Sequence, residues 1–590
     1  MVVDAAFLGV ESSVSGRRWV GPGAAAERAG LAIAQATGLA EPVARLLAIN
    51  GVDAVGVEAY LTPKLRDLMP DPSRLAGMDA AATRLADAVT GSQKVAIFGD
   101  YDVDGAASVA LLVAWLRHFG IAAKFHIPDR IDEGYGPNEP AMAGLGRSHD
   151  LVVCVDCGTL SHGPISAARA QGADVIVADH HLPGPDLPDA FVVNPNRDDC
   201  TAGLGYLCAA GVVLLLLVAT NRELRRRKAF GALREPDLMA MLDLVAVATV
   251  ADVAPMIGLN RALVRQGIAV LARRTRPGLV ALADAARLTA PPTARDLGFA
   301  IGPRINAGGR IGAADLGARL LTTEDPHEAA ALAEKLDGLN TERRAIEAAV
   351  LDGAISQVEN RGTDRGLVWA AAEGWHPGVV GIVASRLKER FGRPAVVIGI
   401  DGEQGKGSGR SINGIDLGSA VQSLAASGHL LKGGGHRMAA GLTVETAHLE
   451  TAMEALEARL TAQGAAAIGP EELRLIGAVS PGGASVDLIE ALEAAGPFGP
   501  SNPAPRLALP DVIPGGIRVV GNGHLQVRFS GPGGQLAAIA FGAADTEMGA
   551  ALNAAADTHS PVHVAGRLEI DDWGGRRRAK LRLEDVAQPS

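Results

Sequence analysis

The chain has 590 residues, of which 48% are hydrophobic and 21% charged. That is room for roughly three to four domains of ~150 residues, with enough apolar content to bury cores and too much for a disordered chain. A net charge of −11 excludes a generally basic nucleic-acid coat but not a local basic track, and four cysteines (Cys154, Cys157, Cys200, Cys208) exclude a secreted disulfide scaffold.

Residues 1–90 read as a helical segment packed on the domain that follows. Ala and Leu recur at helical spacing, and Pro63, Pro70 and Pro72 interrupt the run. Asp4 lies in the first apolar stretch with no basic start, a poor signal peptide.

Residues 91–275 alternate strand and helix, the doubly wound α/β pattern with a parallel sheet. Three Val/Ile-rich runs read as buried parallel strands. Residues 94–98 lead into Asp100, Asp102 and Asp104; 151–155 lead into Asp156; 174–178 lead into Asp179, His180 and His181. Ligand sites of open parallel sheets lie at the carboxyl ends of the strands, so the three clusters converge on one edge. Carboxylates crowded there repel one another unless a cation sits among them. Oxygen-rich ligation with one or two imidazoles suits Mn²⁺ or Mg²⁺ better than zinc.

Cys154 and Cys157 straddle a strand end without a partner CxxC, so they read as small buried residues. A buried helix is predicted over 106–119, its N-terminus aimed at the aspartates, where it can help hold an anion. The most apolar run, 211–219, ends in Arg222, Arg225, Arg226, Arg227 and Lys228. It is shorter than the ~20 residues a membrane span needs, and reads as a buried helix in a soluble, cytoplasmic protein.

Residues 276–360 form a connecting region with a long helix over 325–360. Leu332, Leu336, Leu339, Ile346 and Val350 follow a heptad-like stripe with Arg343 in the remaining seam position, which fits a helix joining two lobes. Residues 361–465 are mixed α/β and Gly-rich. The stretch 373–381, which opens a helix running through Arg390, and the stretches 405–411 and 432–437 read as Gly-rich loops carrying Lys, Arg, Ser or His, in which glycines let backbone N–H groups approach a phosphate.

Residues 466–590 read as five short strands (516–520, 524–529, 536–541, 562–570 and 578–583) with one helix near 485–495, a small OB-type barrel. Arg518, Arg528, Arg567, Arg576, Arg577, Arg578, Lys580 and Arg582 make it locally basic; Phe529, Phe541 and Trp573 are its few aromatics. Such barrels grip single strands by charge and stacking.

The ordered strings Gly99-Asp-Tyr-Asp-Val-Asp-Gly105, Val155-Asp-Cys-Gly158, Ala178-Asp-His-His181 and Ala248-Thr-Val-Ala-Asp-Val253 resemble the DHH phosphoesterase superfamily, and within it the single-stranded-DNA exonucleases. Pro128-Asp-Arg-Ile-Asp-Glu-Gly-Tyr-Gly136, Gly302-Pro-Arg-Ile-Asn-Ala-Gly-Gly-Arg310, Leu339-Asn-Thr-Glu-Arg343 and Trp375-His-Pro-Gly378 extend the match. Gly434-Gly-His436, Ala439-Ala-Gly441 and Pro497-Phe-Gly-Pro-Ser-Asn-Pro503 carry it through nearly the whole chain.

This resemblance implies a catalytic DHH lobe, a connecting helix, a DHHA1 lobe and a C-terminal OB domain. It implies 5′-to-3′ degradation of single-stranded DNA to mononucleotides by two-metal catalysis, in recombination and repair. The implied partners are DNA with a 5′ end, a single-strand-binding protein and a helicase; a monomer is expected. By family position Asp102 and Asp156 hold one ion, Asp104, Asp156, His180 and Asp252 hold the second, and His181 faces the scissile phosphate. Relatives often carry a histidine, a further ligand to the first ion, where this chain has Phe98; whether Asp100 compensates is left open. Arg130, Ser408, Arg410 and the Gly434–Gly435 backbone fall near the substrate's 5′ end, and Arg304, Asn306, Arg310 and His436 along the phosphate path. The alternative readings are a DHH phosphodiesterase for short oligonucleotides or cyclic dinucleotides, which needs only the two lobes, and a degenerate scaffold that only binds, which the intact ligand set opposes.

Overall fold

Trp19 ties the two ends of the chain together. Its ring is fully buried and its indole N–H donates to Asp585 Oδ2 at 2.8 Å. The strand that carries it, β1 (Arg18–Val20), pairs in parallel with residues 472–474. The computed structural model describes residues 5–129, 133–134, 136–465, 471–572 and 575–589. They form two units: Met1–Met69 with Pro255–Ala262 and Gly469–Ser590, and Pro70–Ala254 with Leu263–Ile468.

In the first unit the helices Ala24–Thr37 and Glu41–Ile49 bury Ile33, Val43 and Leu47 against Ile476, Leu488 and Leu492. This differs from the expectation that residues 1–90 pack together on the catalytic lobe. In the second unit the turn Pro72–Arg74 and the helix Met78–Thr90 pack against the helix Ala209–Arg226. A local pattern shows that a helix has an apolar face but not which distant segment covers it.

The second unit begins with an all-parallel sheet of β2 (Val95–Gly99), β3 (Lys124–His126), β4 (Leu151–Val155), β5 (Asp174–Ala178) and β6 (Phe191–Val193), in the order β3-β2-β4-β5-β6. Every residue of β2 and β4 is buried, as continuous apolar runs require of a sheet covered on both faces. The order reverses at β2, which puts the switch point of the doubly wound fold between β2 and β4. Cys154 and Cys157 are buried there, and burial pushes the Cys154 thiol up to about 12. The apolar helix Ala209–Arg226 is buried in this unit; among the described residues no helix is long and apolar enough to cross a membrane.

The connecting helix Pro326–Arg361 has 36 residues. Its first half buries Leu332 and Leu336 beside the helices Pro277–Ala285 and Gly302–Ile311. Its second half buries Val350, Ala354 and Val358 against the helix Pro377–Phe391 and β7 (Val368–Glu373). The stripe read from the sequence is therefore two successive docking faces on one rod.

A second sheet follows: β7, β8 (Ala395–Asp401), β9 (Gln404–Arg410), β10 (Lys432–His436) and β11 (Ala439–Glu445), in the order β10-β11-β9-β8-β7. Here the structure corrects the sequence reading: 405–410 and 432–436 are strands, not loops. A Cβ on Gly405 or Gly407 would lie 2.8 Å from Ile398, and one on Gly409 2.7 Å from Leu417. Alternate glycines let the core press against one face, while period-two alternation turns Lys406, Ser408 and Arg410 to the other.

In the first unit β12 (Glu472–Arg474) pairs with β1. A closed barrel then joins β13 (Leu507–Val520), β14 (His524–Gly531), β15 (Gly534–Ala540), β16 (Val562–Asp571) and β17 (Arg578–Ala587), in the order β13-β14-β15-β17-β16. All five expected strands are present, together with the unexpected helix Glu547–Asp557. Phe529 is buried in the barrel core and unavailable for stacking, Phe541 is half exposed, and Trp573 lies outside the described residues. Part of the basic character is spent internally: Arg567 pairs with Glu584, Arg577 with Glu490, Lys580 with Asp571 and Arg582 with Glu569.

Candidate active site

The site is built at the carboxyl ends of β2, β4 and β5. After β2 the chain turns so tightly that a Cβ on Gly105 would lie 2.3 Å from the Asp100 carbonyl oxygen. Only glycine fits, and the turn throws three aspartates to one edge. Asp100 Oδ1 accepts from the Tyr101 N–H at 2.8 Å. Asp102 caps the helix Val103–His118, accepting from the Gly105 N–H at 3.0 Å. Asp104 is fully buried and accepts from the Ala209 and Ala210 N–H groups at 2.6 and 2.8 Å, at the electropositive start of the helix Ala209–Arg226.

Asp156 follows β4 in the left-handed region at φ 59°, a costly backbone for an aspartate that recurs where a side chain must be aimed. Its Oδ1 is buried with no hydrogen-bond donor among the described residues, 3.3 Å from His180 Nε2. His180 also faces Asp104 at 3.8 Å and Asp252 at 4.0 Å. Three groups result, each with one ligand atom per residue and all those atoms within 4.8 Å of one another: Asp100, Asp102 and Asp156; Asp104, His180 and Asp252; and Asp156, His180 and His181.

Burial first, then neighbouring carboxylates, pushes Asp156 well above the usual carboxylate range. Burial and the nearby Asp104 and Asp102 push Asp252 up to about 8. Burial raises Asp104 as well. These groups cannot all ionise without a compensating cation, and the orphaned Asp156 oxygen lacks only a positive partner. The donor set fits divalent ions that prefer oxygen with some imidazole.

Sequence reading placed Asp179 in the third cluster but gave it no role of its own. It is buried and accepts from His181 Nδ1 at 2.8 Å, from the His180 N–H at 2.7 Å and from the Thr159 hydroxyl at 2.6 Å. Burial alone would raise its pKa; the bonds from His181 and Thr159 overcome this and hold it far below the usual range. Burial likewise opposes charge on His181, yet Asp179 pushes it up to about 9. The signal was available: a metal-site histidine commonly donates its second ring N–H to a carboxylate, which fixes the ring's orientation.

The helix Gly302–Ile311 carries the site towards the second sheet. Asn306 Oδ1 accepts from the Val103 N–H at 3.2 Å, at the head of the aspartate-capped helix. One turn on, about 6 Å of rise, Arg310 Nη1 donates to the Gly378 carbonyl at 3.0 Å. Arg310, Lys406, Ser408, Lys432, Gly434 and Gly441 help line a groove of about 480 Å³. At Gly434 and Gly441 no described atom lies within 4 Å of where a Cβ would stand, so this floor is bare backbone. Arg410 Nη1 donates to Ser408 Oγ at 3.0 Å and to the Gly409 carbonyl at 2.8 Å.

Other expected residues stand differently. Arg304 Nε donates to Asp337 at 2.8 Å and its Nη1 to the Ala300 carbonyl at 2.7 Å, so it braces the connecting helix. Gly435 has φ 147°, and a Cβ there would lie 2.4 Å from the Ala439 carbonyl, so its glycine is demanded by the hairpin. His436 is exposed at the end of β10. Arg130 lies outside the described residues.

Comparison with known proteins agrees with this layout. Family models for the DHH family N-terminal domain, the DHHA1 domain and the RecJ OB domain match residues 94–249, 364–462 and 477–585. The chain is 36% identical to the single-stranded-DNA-specific exonuclease RecJ of Escherichia coli, over 92% of this chain and 95% of that one. It is 35% identical to the Bacillus subtilis protein of the same name, over 92% of this chain and 68% of that one. The crystal structure of RecJ from Thermus thermophilus in complex with Mn²⁺ matches at TM-score 0.79 and 30% identity, covering 95% of this chain and 78% of that one. Its complex with Mg²⁺ matches at TM-score 0.74 and 29% identity, covering 95% and 77%. The chain belongs to the RecJ family of DHH proteins.

Proposed function

We propose that this chain is a metal-dependent exonuclease that hydrolyses single-stranded DNA from its 5′ end to 5′-mononucleotides. The convergence of five aspartates and two histidines at one sheet edge, with burial opposing their ionisation, carries the reading. Asp100, Asp102 and Asp156 are assigned to one Mn²⁺ or Mg²⁺ ion, and Asp104, Asp156, His180 and Asp252 to a second. Asp100 takes the place left by the absent histidine at Phe98, whose ring is wholly buried. When bound, such ions lower the pKa of an attacking water and steady the leaving 3′-oxygen.

The chain's own groups do the rest. Asp156, shared by both sets, fixes their spacing. His181 is held through Nδ1 by Asp179, which against burial favours its charged form, and is assigned to stabilise charge growing on a non-bridging phosphate oxygen. Asn306 locks the aspartate loop to the helix that also carries Arg310. The groove of Arg310, Lys406, Ser408 and Lys432 over a glycine floor takes the strand's phosphates without reading bases. Ser408 and Arg410 are assigned to the 5′ end; Arg304 supports the path through Asp337 rather than touching it. The barrel adds affinity for longer strands, which a small-substrate phosphodiesterase does not need.

A role in recombination and repair, action as a monomer in the cytoplasm, and cooperation with a single-strand-binding protein and a helicase belong to the same proposal. Digestion of 5′-labelled and 3′-labelled single strands with Mn²⁺ or Mg²⁺ tests it. Labelled mononucleotide should appear at once from the 5′ label and last from the 3′ label, and chelation should stop both. Early release of the 3′ label overturns the polarity, and release of internal fragments overturns the exonuclease.

A further inference from the structure

The strands β2, β4 and β5 each lead into candidate ion ligands, whereas β6 (Phe191–Val193) leads into Asn194-Pro195-Asn196. β6 pairs in parallel with β5, Val193 opposite Ala178, so the two asparagines stand beside Asp179, His180 and His181. Asn194 is wholly buried. A buried primary amide has to place two N–H donors and an acceptor oxygen, so its partners show what it holds. Asn194 Nδ2 donates to the His181 carbonyl at 2.8 Å and to the Thr159 hydroxyl at 3.0 Å. Its Oδ1 accepts from the Asn196 N–H at 2.8 Å. Asn196 Nδ2 in turn donates to the His180 carbonyl at 2.5 Å.

On the other side of the same segment, Asp179 Oδ1 accepts the peptide N–H of His180 at 2.7 Å and that of His181 at 3.2 Å. The main-chain N–H and C=O of both histidines are thus held by side chains. Thr159 closes the circuit: its hydroxyl donates to Asp179 Oδ2 at 2.6 Å while accepting from Asn194. Groups in such a buried ring polarise one another, so one lost donor loosens the rest. Gly205 shows that the Asn196 amide is fitted to its place. A Cβ on Gly205 would lie 2.3 Å from Asn196 Oδ1, and its φ is not left-handed, so glycine makes room here rather than bending the chain. The two imidazoles depend on this frame unequally. His181 has a ring anchor, Nδ1 to Asp179 Oδ1 at 2.8 Å. The His180 ring faces Asp156 at 3.3 Å, Asp104 at 3.8 Å and Asp252 at 4.0 Å. Those are the carboxylates assigned to the second ion, so the ring's place among them is set by its main chain.

We propose that Asn194 and Asn196 are positioning residues for the second ion: from the end of β6 they clamp the His180–His181 main chain, and Gly205 leaves the space in which the Asn196 amide sits. The inference deepens the exonuclease reading and rests on it. Groups that hold an ion ligand without touching the ion commonly matter to affinity or activity by about 10- to 100-fold. Neither asparagine has to meet the strand for its loss to be felt.

The test compares full-length wild type, Asn196→Ala, Gly205→Ala and the double variant, stripped of metal and titrated with Mn²⁺ alone, the free ion being counted by electron paramagnetic resonance. Asn196→Ala should weaken Mn²⁺ binding at one site by about 10- to 100-fold. Gly205→Ala keeps every polar group and only displaces the amide, so it should weaken the same site by less. In the double variant the added methyl no longer meets an amide, so the loss should match that of Asn196→Ala alone. Strand affinity of the chelated proteins should stay within a few-fold of wild type. Mn²⁺ binding unchanged in Asn196→Ala overturns the clamp, whatever happens to stability. So does a Gly205→Ala effect that adds in full to that of Asn196→Ala, or a loss of strand affinity as large as the loss of Mn²⁺. Gly205 is exposed, so its variant should fold even where Asn196→Ala does not; unchanged Mn²⁺ binding there then overturns the proposal by itself. If wild type takes up Mn²⁺ but releases no nucleotide from any single strand, the exonuclease reading has failed, and the clamp is judged on the Mn²⁺ titrations.

Discussion

The carboxylate cluster and the glycine-floored groove lie in one unit and are built by opposite means. In the cluster, side chains are aimed and fixed: Asp104 by two N–H groups, Asp179 by five hydrogen bonds from Thr159, His180 and His181, Asp156 by a left-handed backbone. In the groove, side chains are left out. Gly405, Gly407 and Gly409 bring the core up on one face, while Gly434 and Gly441 leave backbone bare on the other. A site that does chemistry needs atoms held to fractions of an ångström against mutual repulsion. A site that passes a strand along needs charge and clearance. Changes to the cluster should therefore act on turnover, and changes to the groove on binding.

The sharpest attempt to break this contrast is Asp156→Ala. One electrostatic element of a catalytic site is worth about 10²–10³-fold, and a ligand shared between two ions should cost at least the upper figure. Turnover in metal-loaded protein should fall by that much or more, while anisotropy-measured affinity for single strands changes only a few-fold. Equal losses in both would merge the two regions into one.

Asp179→Asn should come next. It supports the cluster through His180, His181 and Thr159 and is assigned no ion of its own, so the loss should be about 10- to 100-fold in kcat, typical of a residue that orients another. Its pH signature separates orientation from mere packing. The folded-state pKa of His181, about 9 against an ordinary 6.5, gives stability that is fully present below pH 6.5 and lost as pH rises through 9. The depressed pKa of Asp179 gives stability present above its ordinary value, 3.8, and lost as pH falls below it. Denaturant midpoints of chelated wild type should fall on both sides of that window, and those of Asp179→Asn should be flatter. Parallel curves for the two proteins would deny the ion pair its role.

How much of each region was legible in the sequence follows from the same contrast. Side-chain chemistry at strand ends is written in residue types: β2, β4 and β5 lie within a residue of where their apolar runs put them, and Asp100, Asp102, Asp104, Asp156 and His180 gather as their spacing implied. The groove was harder. Glycine has poor strand propensity, so 405–410 and 432–436 read as loops; only the neighbours Ile398 and Leu417 reveal why glycine is wanted there. Long-range covering was not legible at all. Nothing near Ile33 or Val43 in sequence says that Ile476 and Leu488 will bury them, so removal of the barrel segment alone would strip the N-terminal helices of their core.

Gly434→Leu sharpens the groove's side of the contrast. The side chain has open space to occupy, so the fold should hold, but it would stand where a phosphate approaches the backbone. Losing one charge-assisted contact of this kind costs about tenfold in affinity. Strand affinity should fall by that order while kcat at saturating strand stays near wild type. A fall in kcat with affinity unchanged would place Gly434 in the chemistry.

The smallest effect should come from Arg410, and it bears on direction. In the strand alternation Arg410 shares a face with Ser408 and Lys406, and its guanidinium donates to Ser408 Oγ and the Gly409 carbonyl. Those two bonds orient it. A terminal phosphate carries more charge and more acceptor oxygens than an internal diester, so a fixed guanidinium favours a 5′-phosphorylated end over a 5′-hydroxyl. Its share should be modest because Lys406, on the same face of β9, and Lys432 supply charge to the groove that Ser408 lines. About fivefold in the ratio of initial rates on the two substrates fits one partly solvated charge contact. Arg410→Ala should narrow the ratio mainly by slowing the phosphorylated strand, and Arg410→Lys should recover only part of it, since an ammonium lacks the planar fork that Ser408 and the Gly409 carbonyl hold in place. Equal wild-type rates on both ends would remove the end-binding role from this strand and leave the groove as a track for internal phosphates.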